Sequence, residues 1–146
     1  MESTQGMRHA LEALVSGRQS PAQMLAIQPR IIDGIYALGR DALARGRASD
    51  AEAFFLRCVQ LDARRSDAWL GLASARQALG RVLEAAELFQ FAALFAQDVT
   101  PMAYAAACFA LEGQHARAQS LAAHVRSSLA DVSSLTPWLT IAEAHT

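Results

Sequence analysis

Gly46 and Gly80 lie 34 residues apart, and their surroundings keep the same spacing. Ile35 corresponds to Trp69, Leu38 to Leu72, Ala51 to Ala85, Phe55 to Phe89 and Cys58 to Ala92. A third unit follows one residue short, with Met102, Ala106, Gly113, Ala118, Ala122 and Val125 in the matching places. Each unit reads as helix, short turn, helix. Gly46, Gly80 and Gly113 sit where a helix C-terminus closes through a left-handed residue. One such helix pair cannot bury its apolar face alone, so the units must stack on one another.

A period of 34 with large, small, glycine, alanine and aromatic residues in that order is the tetratricopeptide pattern. The expected fold is all-α: three tetratricopeptide repeats in a short right-handed helical solenoid, with N-terminal and C-terminal flanking helices. Two antiparallel helices approach closely only where both carry small side chains. Gly39, Ala73 and Ala106 are therefore expected to face Ala51, Ala85 and Ala118. Phe55 and Phe89 fill the gap between one pair and the next. The stretch WLGLASARQALGR raises a question, because Gly71 inside its helix costs about 0.5–1 kcal/mol relative to alanine. Its place is expected on the flank of the inner groove, where a peptide backbone or a neighbouring helix comes close.

Composition agrees with this reading. Apolar residues make up 53% of the 146, charged residues 18%, and the formal charge is −1 with both signs interspersed. Such a balance lacks the electrostatic footprint of a nucleic-acid binder. No apolar run approaches the roughly 20 residues of a membrane span, and the opening MESTQGMRHALEALVSG lacks the pattern of a signal peptide. Only Cys58 and Cys108 are present, which favours a reducing cytoplasm over a disulfide framework. The division expected is 1–29 as an N-terminal helical flank, 30–131 as the repeats and 132–146 as a capping helix. Ser20-Pro21 and Thr136-Pro137 read as helix starts, and Trp138 and Leu139 as cover for the last apolar face.

The first helix of each pair lines the concave face of a solenoid. Counting from Ile32, Ser66 and Val99, the groove positions fall on Asp33, Tyr36, Arg40, Leu43 and Ala44 in the first unit. The second unit supplies Asp67, Leu70, Ser74, Gln77 and Ala78; the third supplies Thr100, Ala103, Ala107, Ala110 and Leu111, with Tyr104 close by. This mixed, small-residue surface suits an extended peptide whose apolar side chains enter pockets. Some tetratricopeptide proteins grip a terminal carboxylate through lysines and asparagines at these places. Arg40, Ser74 and Gln77 stand there instead, beside Asp33 and Asp67, so an acidic C-terminal peptide fits poorly.

Catalytic and cofactor signals are missing from the pattern. Cys108, Glu112 and His115 have helical spacing, but Gly113 interrupts the helix between them, and no metal or cofactor is expected. Cys58 matches Ala92 in register and reads as packing rather than as a nucleophile. No phosphate loop, GxSxG elbow or paired histidine–glutamate motif occurs, so an enzyme is not expected.

The run LGLASARQALGR, the segment AACFALEGQ and the lead-in SGRQSPAQMLAIQPRIIDGIYALGRDALARGR together resemble the class II chaperones of type III secretion systems. The resemblance spans roughly residues 7–131, and its most specific part is the LGL-small-x-RQALG core, because generic tetratricopeptide repeats do not require its Arg76-Gln77 pair. It implies a bacterial cytoplasmic chaperone without catalytic activity. Such proteins hold hydrophobic translocator proteins soluble and apart until secretion, with an extended translocator segment in the groove. It also implies self-association, here as a homodimer through the apolar face of Met7, Leu11, Leu14 and Val15. The family places aromatics along the first repeat's groove; this chain keeps Tyr36 but has Arg40 and Leu43 at the next two places. An alternative reading is an adaptor of the same secretion system that binds needle subunits or a regulator.

Overall fold

The computed structural model describes residues 5–8, 11–12 and 25–144. Its helices run in order as α1 (Pro29–Ala44), α2 (Ala48–Leu61), α3 (Ser66–Ala78), α4 (Val82–Ala96), α5 (Thr100–Leu111) and α6 (His115–Ser128). A short 3-10 turn (Ser133–Leu135) then leads into α7 (Thr136–Glu143). The three expected pairs are α1/α2, α3/α4 and α5/α6. Each helix of the three pairs packs most closely on its chain neighbours, while α1 and α3 barely touch. That is the topology of a helical solenoid, with the first helices of the pairs on the inner side.

The turns inside the pairs share one construction. Gly46, Gly80 and Gly113 have φ of 75°, 82° and 79°, in the left-handed region that glycine adopts without a Cβ clash. After each glycine, the next backbone N–H reaches back to a carbonyl five residues earlier: Arg47 to Ala42, Arg81 to Arg76 and Gln114 to Phe109, at 2.8–2.9 Å. The glycine N–H bonds the carbonyl three residues before it. These paired bonds are the Schellman closure, and they satisfy carbonyls that would otherwise be orphaned at the helix end.

The third unit is shorter in its first helix, α5, which has 12 residues against 13 in α3, and the connection before it is shorter too. Residues 62–65 join α2 to α3, whereas only 97–99 join α4 to α5. The tighter turn is made by Gln97, which takes a left-handed φ of 52° at the end of α4.

Small residues let the helices meet. Ala51, Ala85 and Ala118 are fully buried, as are Ala73 and Ala106, and Gly39 is buried as well. Trp69 is enclosed among Phe91 and Phe95, each 5.4 Å away between ring centroids, and its indole N–H donates to the Ala63 carbonyl at 2.7 Å. Phe55 joins the first pair to the second. A Cβ on Gly71 would stand 2.5 Å from the Phe55 ring, and one on Gly39 would stand 2.8 Å from it. The glycine in α3 is thus occupied by a ring from α2, not by an approaching peptide. Of the two approaches expected there, the neighbouring helix is the one found.

At the far end α7 rests mainly on α5 and less on α6, with Leu135, Leu139 and Ala142 buried. Thr136 is the first helical residue and not the cap: its hydroxyl donates to the Val132 carbonyl at 3.4 Å. Arg126 on α6 forks onto Glu143 of α7, an exposed pair that adds little stability. The expected helix start at Ser20-Pro21 lies outside the described residues. Met7 and Leu11 are half-buried against the core.

Because Phe55 touches glycines on both sides, its ring cannot retreat from one without pressing on the other. Gly71→Ala is expected to destabilise the protein by about 1–3 kcal/mol through overpacking. Gly34, also in α1, has open space around it; Gly34→Ala should instead gain about 0.5–1 kcal/mol. Urea denaturation followed by circular dichroism checks both signs.

Candidate functional site: the inner groove

The inner face of α1, α3 and α5 carries the residues expected to bind a ligand, and the structure groups them in two places. The first lies between α1 and α3 and is organised by Arg65, in the connection before α3. Its Nη1 donates to Asp33 Oδ1 at 2.6 Å, its Nη2 to Asp67 Oδ2 at 2.8 Å and its Nε to Asp67 Oδ1 at 3.1 Å. The same guanidinium lies over the Tyr36 ring, 5.4 Å from its centroid. One cation therefore ties Asp33, Tyr36 and Asp67 together across two repeats. Hydrogen bonding to Asp67 holds the Arg65 pKa above even its usual high value. Burial, followed by the Asp67 charge, raises the Tyr36 phenol above its ordinary value. Tyr36 also packs on Phe55, at 5.6 Å between centroids, so the groove floor rests on the junction ring.

The second place is an open pocket of about 230 Å³ between the second and third repeats. Leu70, Ala92, Ala96, Pro101 and Tyr104 supply its apolar walls. Ser66, Asp67, Asp98 and Thr100 line it with polar groups. Asp98 accepts bonds from the Thr100 N–H at 3.0 Å and the Thr100 hydroxyl at 2.9 Å, which fixes the start of α5. Tyr104 stands edge-on between Phe89, 5.5 Å away, and Trp138 of α7, 4.9 Å away.

The other expected groove residues divide by exposure. Arg40 and Leu111 are exposed, and Leu43, Ser74 and Gln77 are half-buried. The Ser74 hydroxyl donates to the Leu70 carbonyl one turn earlier, at 2.9 Å. Ala103 and Ala107 are buried and offer almost no surface of their own. Their helix is the one on which α7 rests. Of the residues expected at a dimer surface, Met7 and Leu11 face the core of the same chain, and Leu14 and Val15 lie outside the described residues.

Arg65, Asp98 and Trp138 were not among the expected groove residues. Arg65 had a signal: aspartates at the same repeat position, Asp33 and Asp67, call for a cation between them. Trp138 had none, because the path of α7 over α5 follows from no repeat.

The Arg76-Gln77 pair separates. Gln77 stays beside the groove, whereas Arg76 is 6% exposed and points between α2 and α4. Its Nε donates to Glu52 Oε2 at 3.1 Å, its Nη1 lies 3.8 Å from Glu84, and Arg81 donates to the same Glu52 oxygen at 3.0 Å. Burial pushes the Cys58 and Cys108 thiols up to about 11, which keeps both neutral and unreactive. Cys58 Sγ sits 3.7 Å from the Ile32 carbonyl, in the packing role expected of it. Among the described residues, no group of histidine, cysteine, aspartate and glutamate side chains could hold a metal ion, and no helix is long and apolar enough to cross a membrane.

No protein-family model matches the chain, and no curated protein does. Solved structures share its fold. A chain in a type III secretion complex from Aeromonas hydrophila aligns with a TM-score of 0.78 at 22% identity, over 92% of both chains. The type III secretion translocator chaperone SycD of Yersinia enterocolitica aligns at 0.76 and 24% identity, over 86% of this chain and 98% of that one. SycD in complex with a peptide of the translocator YopD aligns at 0.71 and 24% identity, over 80% and 93%. The all-α repeat fold of this chain is the fold of these structures.

Removing one partner of a buried ion pair typically costs about 3–5 kcal/mol. Glu52→Ala, which leaves Arg76 buried with only the more distant Glu84, should approach that range. Arg76→Met should cost clearly less, because Glu52 keeps Arg81. Thermal denaturation of the two variants checks the order.

Proposed function

We propose that this protein is a chaperone of a type III secretion system that binds hydrophobic translocator proteins in the bacterial cytoplasm. An extended segment of the translocator lies along α1, α3 and α5, and its apolar side chains enter the groove between Tyr36, Leu70 and Tyr104. The observation that carries this reading is the open pocket at Leu70 and Tyr104, set in the fold that SycD uses in complex with a translocator peptide. Before secretion a translocator exposes apolar segments that aggregate or insert into the wrong membrane, and a groove that covers one of them suppresses both. Nothing in this function calls for catalysis, and the buried thiols are suited to none.

The site comprises Asp33, Tyr36, Arg40, Leu43, Asp67, Leu70, Ser74, Gln77, Tyr104 and Leu111, with Ala103 and Ala107 as backing. Self-association through the N-terminal flank and first repeat belongs to the same proposal. Its support is the outer face of α1, where Ile31 and Leu38, two turns apart, are each 52% exposed.

Co-expression with the translocators encoded nearby tests the assignment. They should stay soluble and co-purify with the wild-type chain, whereas Leu70→Glu should leave them in the pellet while its own circular dichroism is unchanged. Translocators that stay insoluble beside the wild-type chain overturn it. For self-association, light scattering at micromolar concentration should give a dimer mass, and Ile31→Asp with Leu38→Asp a monomer; a wild-type monomer refutes it.

A further inference from the structure

The two junctions of the groove carry opposite charges at one repeat position. Arg65 immediately precedes the second unit, and Asp98 immediately precedes the third, so the two occupy the same place in the register. At the first junction the Arg65 cation lies between Asp33 and Asp67, over the Tyr36 ring. At the second junction Asp67 holds the place of Asp33, Leu70 that of Tyr36 and Thr100 that of Asp67. The place of the cation is held by a carboxylate, and the space beside it is the 230 Å³ pocket.

We propose that this pocket takes a basic side chain, arginine or lysine, from the bound peptide segment. The ligand's cation completes at the second junction what Arg65 completes at the first. This rests on the groove reading above and specifies what the segment must carry.

Size, lining and charge agree on this occupant. The volume is below the roughly 300 Å³ of a small-molecule site and suits one side chain. Leu70 and Tyr104 offer apolar surface to a methylene stem, as basic residues prefer for their stems. The polar rim has two carboxylates, Asp67 and Asp98, and no cation among its lining residues. Asp98 uses Oδ1 for both of its bonds to Thr100, and Oδ2 has no partner among the described residues. Asp67 already accepts from Arg65, but each of its oxygens has a further lone pair. An apolar side chain would fill the floor and leave Asp98 Oδ2 without a partner. A basic one gives them a charge-assisted hydrogen bond.

The test pans a phage library of random dodecapeptides on the immobilised full chain, on Asp98→Asn and on Leu70→Glu. Asparagine keeps an oxygen for Thr100, so the start of α5 is preserved. The wild-type chain should enrich peptides with arginine or lysine at a fixed spacing from an apolar residue. Asp98→Asn should lose the basic preference and keep the apolar one. In the strongest synthetic peptide, replacing that residue by norleucine should weaken binding about fivefold to the wild type, the size expected of a partly exposed charge pair. The same replacement should change binding to Asp98→Asn little, while Glu87→Gln, an equal charge change on the outer face of α4, keeps the full effect. Enriched peptides with no basic bias, or a bias that survives in Asp98→Asn, overturn this inference and leave the groove reading standing. Failure to enrich any peptide whose binding Leu70→Glu abolishes overturns the groove reading and this inference with it.

Discussion

The Phe55 ring, seated against Gly39 on one side and Gly71 on the other, is the contact on which the rest of the structure depends. In a stack of helix pairs, stability is the sum of each pair and its junctions with its neighbours. Phe55 makes the first of those junctions, and it does so where two glycines leave room for an aromatic ring between three helices. The groove is built on it, since Tyr36 packs on this ring and Arg65 lies on Tyr36. At the next junction Phe89 meets Tyr104 instead, at the register position of Gly71. A ring edge replaces a hydrogen there, and the pocket opens alongside.

Local requirements made most of the fold legible in the sequence. The three turn glycines could be read because a left-handed residue with its pair of back-reaching bonds is a demand of the backbone alone. The small residues at Ala51, Ala85 and Ala118 could be read because close helix approach excludes anything larger. What escaped was set by contacts between distant parts of the chain. Gly71 faces a ring sixteen positions earlier, and a single helix viewed by itself does not say which neighbour arrives. Ala103 and Ala107 read as open groove from their register, but the last unit of a solenoid has a cap on it, and they are buried. Thr136 looks like a cap before a proline, yet the preceding 3-10 turn carries the chain into the helix one residue earlier.

Arg76 illustrates how a distinctive residue can mislead about where function lies. Its presence in the motif marks the chain as more than a generic repeat, but the side chain is buried in the junction of α2, α3 and α4 with Glu52. Its contribution is to the packing of that junction, as the buried partner of Glu52. The groove chemistry falls to less conspicuous residues in the connections, Arg65 and Asp98, whose meaning appears only when the repeats are laid over one another.

The Arg65 clamp also makes the two joints of the solenoid mechanically unlike. The inner helices α1 and α3 scarcely touch, and an ionic tie spans the gap between them. Among the described residues no ion pair links α3 to α5, so the second joint is held by packing alone. Salt screens charges and leaves apolar contact in place. Ionic strength therefore weakens one tie of the first joint, where the packing of Phe55 remains, and meets no such tie at the second.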